Sequence, residues 1–156
     1  MSDLIIDKKY YNTLDIEGFS KMMNSPSYCY KFYWLEAIVQ LISANKTEAT
    51  YDEIINKMIS NAWYPVLEYH IHLSGIYGKD IIKDNLERAV LRLQELSQLA
   101  NNASDIEIIN KLHEFSEDKE LRFYKKELTK NVPYKALSGF ANRGSEKINL
   151  DSSAGR

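Results

Sequence analysis

The pattern of hydrophobic and polar positions is most one-sided between Tyr28 and Ile42, where the chain reads YCYKFYWLEAIVQLI. This stretch contains neither glycine nor proline, and its length is typical of a helix. On a helix its only contiguous polar stripe is Glu36, Gln40 and Ser43, spaced i, i+4 and i+7. A helix with so narrow a polar face is typical of a protein core. We therefore predict a buried, aromatic-rich central helix that other helices cover.

Helical periodicity and capping signals continue on both sides of this segment. A weakly periodic piece from Asp15 to Met23 predicts a short helix before it. After it, Thr50 begins a capping box with a glutamate three residues later, and apolar residues then recur at helical spacing. We expect that helix to stop just before Pro65, and Pro65 to begin another short helix that ends at Leu73.

The second half of the chain predicts three more helices. The longest apolar stripe predicts an amphipathic surface helix from Asp80 to Ala100. A second capping box, at Ser104, opens a helix over about 104–115. Ser116-Glu117-Asp118 has the composition of a cap and an acidic first turn, so a further helix should run from there to about residue 130, and Pro133 should close it.

Together these elements predict one fold class. We expect residues 1–138 to form a single all-α domain, an irregular bundle of five to seven helices around the central helix. From 139 to 156 the chain is polar and contains glycine without periodicity, which predicts a tail or linker.

Composition narrows the class of protein further. The chain has one cysteine, Cys29, so it has no internal disulfide and no cysteine-rich metal site, which suits a reducing cytoplasm. No apolar run reaches the roughly 18 residues that a membrane-spanning helix needs. We therefore expect a cytoplasmic protein that neither spans a membrane nor carries an export signal.

Charge is distributed unevenly along the chain. The formal net charge is −2, but residues 117–147 carry eight basic and five acidic side chains. This basic third is the electrostatic footprint that a polyanion such as DNA would use. The same lysines are also what the solvated face of an ordinary helix contains, and charge alone does not distinguish the two interpretations.

Few residues are candidates for chemistry. Glu68, His70 and His72 are the nearest approach to a metal cluster, but His-x-His places both rings on one side only in an extended segment. Since we predict a helix there, structural histidines are favoured. His113, on an amphipathic helix, is expected to be a packing or surface residue, and Cys29 a small core residue with no histidine near it in sequence. No catalytic centre and no cofactor are implied.

Three segments carry a resemblance to a known family. They read SYCYKFYWLEAI at 27–38, MISNAWYPV at 58–66 and NVPYKALSGF at 131–140. In this order and spacing they resemble the N-terminal helical region of bacterial proteins that contain an HNH endonuclease domain. In that family the helical region precedes a C-terminal HNH module.

The resemblance implies a non-catalytic helical domain that helps to position DNA for a nuclease module. An HNH centre needs a histidine base, an asparagine and further ligands around a divalent metal, and the three histidines here do not follow that pattern. The chain is therefore expected to be a fragment or a stand-alone version of the helical region. Its expected phosphate contacts lie in the basic third: Lys125, Lys126, Lys130, Lys135 and Arg143.

Two other function classes remain open. The acidic first 116 residues and the 18 aromatic side chains favour a small regulator or inhibitor that docks on a protein partner through an aromatic surface. The third class is an enzyme that uses Glu68, His70 and His72 at a metal, although the expected helix separates the two rings.

Overall fold

The computed structural model describes residues 13–24, 29–74, 76–77, 80–81 and 83–137. Within these residues the chain forms six helices and one hairpin of two-residue strands, so the predicted all-α class is confirmed. The helices are α1 Ile16–Asn24, α2 Tyr30–Ser43, α3 Tyr51–Leu67, α4 Asn85–Ser97, α5 Asp105–Glu114 and α6 Lys119–Leu137. The antiparallel strands β1 Ile76–Tyr77 and β2 Asp80–Ile81 lie between α3 and α4.

Contacts divide the chain into two units. The larger, Pro26–Ala136, contains α2 to α5, the hairpin and nearly all of α6. The smaller consists of Met1–Ser25 and Leu137–Arg156, and of it the structure describes α1 with residues 13–15, and residue 137. The expected polar tail and Arg143 lie outside the described residues.

Helix α3 is the centre of the larger unit. It packs against α2, α4 and α5, and ten of its 17 residues are buried, among them Trp63. The Trp63 ring is fully enclosed, and its Nε1 donates to the carbonyl of Ala100 at 3.1 Å. α6 adds Leu121, Leu128 and Val132 to the same core.

The prediction that α2 is a buried central helix was wrong. The helix forms, but only Lys31 and Ala37 are buried along it. Phe32, Val39 and Ile42 are 44%, 52% and 62% exposed. An apolar composition shows how hydrophobic a helix is, and not how many neighbours it has. The principal neighbour of α2 is α3, so part of its surface stays uncovered.

Both predicted capping boxes are present. Glu53 N donates to Thr50 Oγ1 at 3.2 Å, and Thr50 N donates back to the Glu53 carboxylate at 2.9 Å. Ser104 and Glu107 make the same pair of bonds at the start of α5, at 3.4 and 2.8 Å. Because each box satisfies backbone N–H groups at both ends of the motif, it fixes the first turn of its helix.

The predicted effect of the two prolines was wrong. α3 continues through Pro65 to Leu67, the residues from there to Leu73 are not helical, and α6 continues through Pro133. Each proline removes one backbone N–H near the end of its helix, and buried residues beyond it, such as Val66, hold the last turn against the core.

Helix α4 is shorter than predicted at both ends. The segment before it forms β2, and the helix begins at Asn85, where Asp84 Oδ1 accepts from Glu87 N at 2.8 Å. The helix ends at Ser97, because Gln98 takes a left-handed conformation with φ 53°. Aspartate is a favoured N-cap because its carboxylate accepts from free backbone N–H groups.

None of the helices in the described part of the chain combines the length and the apolar character needed to cross a bilayer.

Candidate functional site

The structure does not bring the three metal candidates together. The Glu68 carboxylate accepts from Asn101 Nδ2 at 3.1 Å, and His70 is exposed with φ 52°. His72 Nδ1 lies 3.0 Å from Glu87 Oε1 instead. Within the described ranges, no three histidine, cysteine or acidic side chains are grouped as metal ligands.

The contacts of His72 indicate a structural role. Glu87 is buried on α4, and its second oxygen accepts from the backbone N–H of Leu73 at 3.2 Å. The Glu87 carboxylate therefore links the loop after α3 to α4, because it contacts both the His72 side chain and the Leu73 backbone.

Cys29 lies at the start of α2 and has the environment of an inert thiol. Its Sγ donates to the carbonyl of Leu73, and burial, together with the charge of Asp84, raises its pKa. A nucleophilic cysteine needs a lowered pKa, so the contacts of Cys29 oppose that role.

Helix α6 carries the strongest charge asymmetry. It contains six basic and two acidic side chains, a net charge of +4, in a chain whose net charge is −2. The predicted phosphate contacts on it differ in availability. Lys125 is 14% exposed and pairs with Asp52 at 2.5 Å, and Lys130 pairs with Glu127 at 2.8 Å. Lys126 is exposed, and no acid pairs with it within the described residues.

A cleft of about 420 Å³ follows the basic side of α6, between α5 and α6. We call it the α5–α6 cleft. Among the described residues, Asp52 is the one acidic side chain that lines it, and Asp52 is already paired with Lys125. The basic and imidazole side chains that line it are His113, Lys119, Arg122, Lys125 and Lys126.

A second cleft of about 420 Å³, the α4–α6 cleft, lies on the other side of α6. It has mixed charge, because Asp84 and Glu127 lie among the basic residues Lys83, Arg88 and Lys135. Burial raises the pKa of Asp84 to about 6. Lys135, the fourth predicted contact, is exposed at this cleft and not at the α5–α6 cleft.

Phe123 borders both clefts, and sequence reasoning missed it. Its side chain is 56% exposed, and its ring packs edge to face against the ring of Tyr124 with 5.7 Å between the ring centroids.

The basic residues Lys119 and Arg122 were also not predicted as phosphate contacts. The signal that indicates them is the helical spacing of residues 119, 122 and 126, which places three basic side chains on one face of α6.

Comparison with known proteins finds no matching family model, no matching curated protein and no matching solved structure. The resemblance to the HNH-associated helical region therefore remains a prediction, and the geometry of α6 carries the functional argument.

Proposed function

We propose that this chain is a non-catalytic helical domain that binds nucleic acid through the exposed face of α6. The α5–α6 cleft is the observation that carries the proposal. Lys119, Arg122 and Lys126 are exposed along it, while Asp52, the one acidic side chain among its described lining residues, is neutralised by Lys125.

The electrostatics support a polyanion as the ligand. Positive charge that faces a cleft attracts phosphates strongly because the counterions they release favour binding. Arg122 is held by Glu117 at 3.1 Å, but both side chains are mostly exposed, and such surface pairs are weak enough for a phosphate to replace the carboxylate.

The role of positioning DNA for a nuclease module belongs to the same proposal. It is supported by the three segments that resemble the HNH-associated helical region, of which residues 58–66 lie in α3 and residues 131–137 in α6. The described part of the third segment therefore lies on the helix that carries the basic residues.

The salt dependence of binding tests the proposal. We expect a fluorescently labelled DNA duplex to bind, and its affinity to fall roughly 40-fold between about 50 and 200 mM salt if three phosphates are neutralised. Fluorescence anisotropy titrations at several salt concentrations measure both the affinity and the slope.

A pair of charge-matched variants locates the effect. Lys126→Ala should reduce the salt slope by about one. Lys111→Ala removes the same charge from α5, outside both clefts, and should leave the slope unchanged.

Absence of binding to both the duplex and its separated single strands at low salt would contradict the nucleic-acid function. If the protein then forms a stable complex with another protein or with itself in light scattering, the alternative role of a docking regulator is supported. The exposed apolar side chains of α2, Phe32, Val39 and Ile42, are the first surface to test in that case.

A further inference from the structure

We infer that the ligand of α6 is single-stranded nucleic acid, whose bases stack on Phe123 and Tyr134. This inference rests on the proposed nucleic-acid function and names the class of nucleic acid.

Two aromatic rings are exposed on one line along α6. Phe123 is 56% and Tyr134 is 61% exposed. They are 11 residues apart, and 11 residues make three turns of an α-helix, so both rings lie on the same face about 16 Å from each other. A protein that only needed aromatic bulk for its core would bury such rings.

Cations lie between the two rings on the same face. Lys126 and Lys130 follow Phe123 by three and seven residues, and both are exposed. Two cationic side chains therefore lie between the two rings, although Lys130 also pairs with Glu127. Proteins that bind single strands combine base stacking with phosphate contacts in this way.

Basic residues flank Phe123 on both sides of α6. The ring stands between the α5–α6 cleft and the α4–α6 cleft, each lined by at least three lysine or arginine side chains. A strand that stacks on this ring as it follows α6 towards Tyr134 passes between the two clefts. Its phosphates would then contact basic residues on both sides.

Charge argues against an apolar protein partner on this face. A protein surface that covered Phe123 with apolar groups would also remove Lys119 and Lys126 from water without a compensating charge, which is costly. A duplex fits the rings poorly as well, since its bases are already stacked and paired, and only a single strand offers free base faces.

The test compares one labelled single strand with the duplex of the same sequence at about 50 mM salt. Phe123→Ala should weaken binding of the single strand about 5- to 150-fold, the range expected for the loss of one stacked base. Phe123→Trp should retain the affinity because tryptophan offers a larger ring. Binding of the duplex should change much less than that of the single strand in both variants.

Two further variants control for folding and for general loss of apolar surface. Phe123→Leu keeps an apolar side chain at the position but has no π face, so it should weaken the single strand as Phe123→Ala does. Phe32→Ala removes the exposed phenylalanine of α2 and should have no effect. The thermal unfolding midpoint of each variant should match that of the wild-type protein if the fold is intact.

The outcomes separate this inference from the function on which it rests. If Phe123→Ala leaves single-strand binding unchanged, or weakens single strand and duplex equally, the stacking inference is wrong and the nucleic-acid function stands. If the wild-type protein binds neither, both are wrong. If polyglutamate competes as well as the single strand does at equal charge, the face is a general polyanion surface and the stacking inference fails.

Discussion

Asp84 illustrates how burial controls a single residue. It caps α4 through Oδ1, while Oδ2 is buried without a hydrogen-bond partner in the described part of the chain. Burial, and less strongly the charge of Glu87, raises its pKa from 3.8 to about 6. Because the folded pKa exceeds the unfolded one, the contribution of Asp84 to stability is complete below pH 3.8 and is lost as the pH rises through about 6.

We therefore predict that Asp84→Asn is at least as stable as the wild-type protein at pH 7, by up to about 3 kcal/mol. Asparagine caps a helix as well as aspartate does and carries no charge. Urea unfolding at pH 5 and pH 7 measures the free energy of unfolding of both proteins. The wild-type protein should gain more stability than the variant on acidification. An equal gain in both would show that Asp84 has an ordinary pKa in the folded state.

The residues of the site were only partly predictable. Lys126 could be identified from the sequence, because its charge and its helical position are local properties. The pairing of Lys125 with Asp52 could not, since the two residues are 73 positions apart and meet only when α6 packs near α3. The exposure of Phe123 has the same cause. A phenylalanine on a helix is expected to be buried until the positions of the neighbouring helices are known.

At the scale of elements, Asp118 positions the start of α6. Its carboxylate receives two bonds from Arg92 of α4, Nη2 at 2.7 Å and Nε at 3.1 Å, and one from Leu121 N at 2.9 Å. The bonds from Arg92, followed by the one from Leu121, lower the pKa of Asp118 to about 2. One aspartate is thus the N-cap of α6 and its link to α4.

Asp118→Ala should destabilise the protein by about 1–2 kcal/mol, because it removes the helix cap as well as the partner of Arg92. Asp118→Asn keeps an acceptor for Leu121 N and should cost less. It should also remove the loss of stability that the wild-type protein shows as the pH falls from 3.8 towards about 2. Thermal and urea unfolding compare the two variants. Equal destabilisation by both would mean that the charge pair, and not the cap, dominates.

The starts of the helices were predictable where residues close together in sequence determine them. Both capping boxes formed as expected, because each involves residues only three positions apart. The predicted helix ends at the two prolines were wrong, since burial of residues after Pro65 and Pro133 outweighs the loss of one hydrogen bond in each helix. The position of α2 could not be read from its composition, because the number of neighbours that a helix has is a property of the whole bundle.

At the scale of the whole molecule, charge and exposed rings coincide on one helix. α6 has a net charge of +4, so the rest of the chain has a net charge of −6. Phosphates should therefore be attracted to α6 and repelled elsewhere. The basic third was evident from the sequence. Only the structure shows that its charge lies beside a cleft whose described lining residues include a single acid, Asp52.

The most direct test is an NMR titration of the isotopically labelled protein with a short single-stranded oligonucleotide. The largest changes in amide chemical shift should occur along α6, around Lys119, Phe123, Lys126 and Tyr134. α2 should change little. Changes confined to α2, or no changes at low salt, would contradict the assignment of α6 as the binding surface.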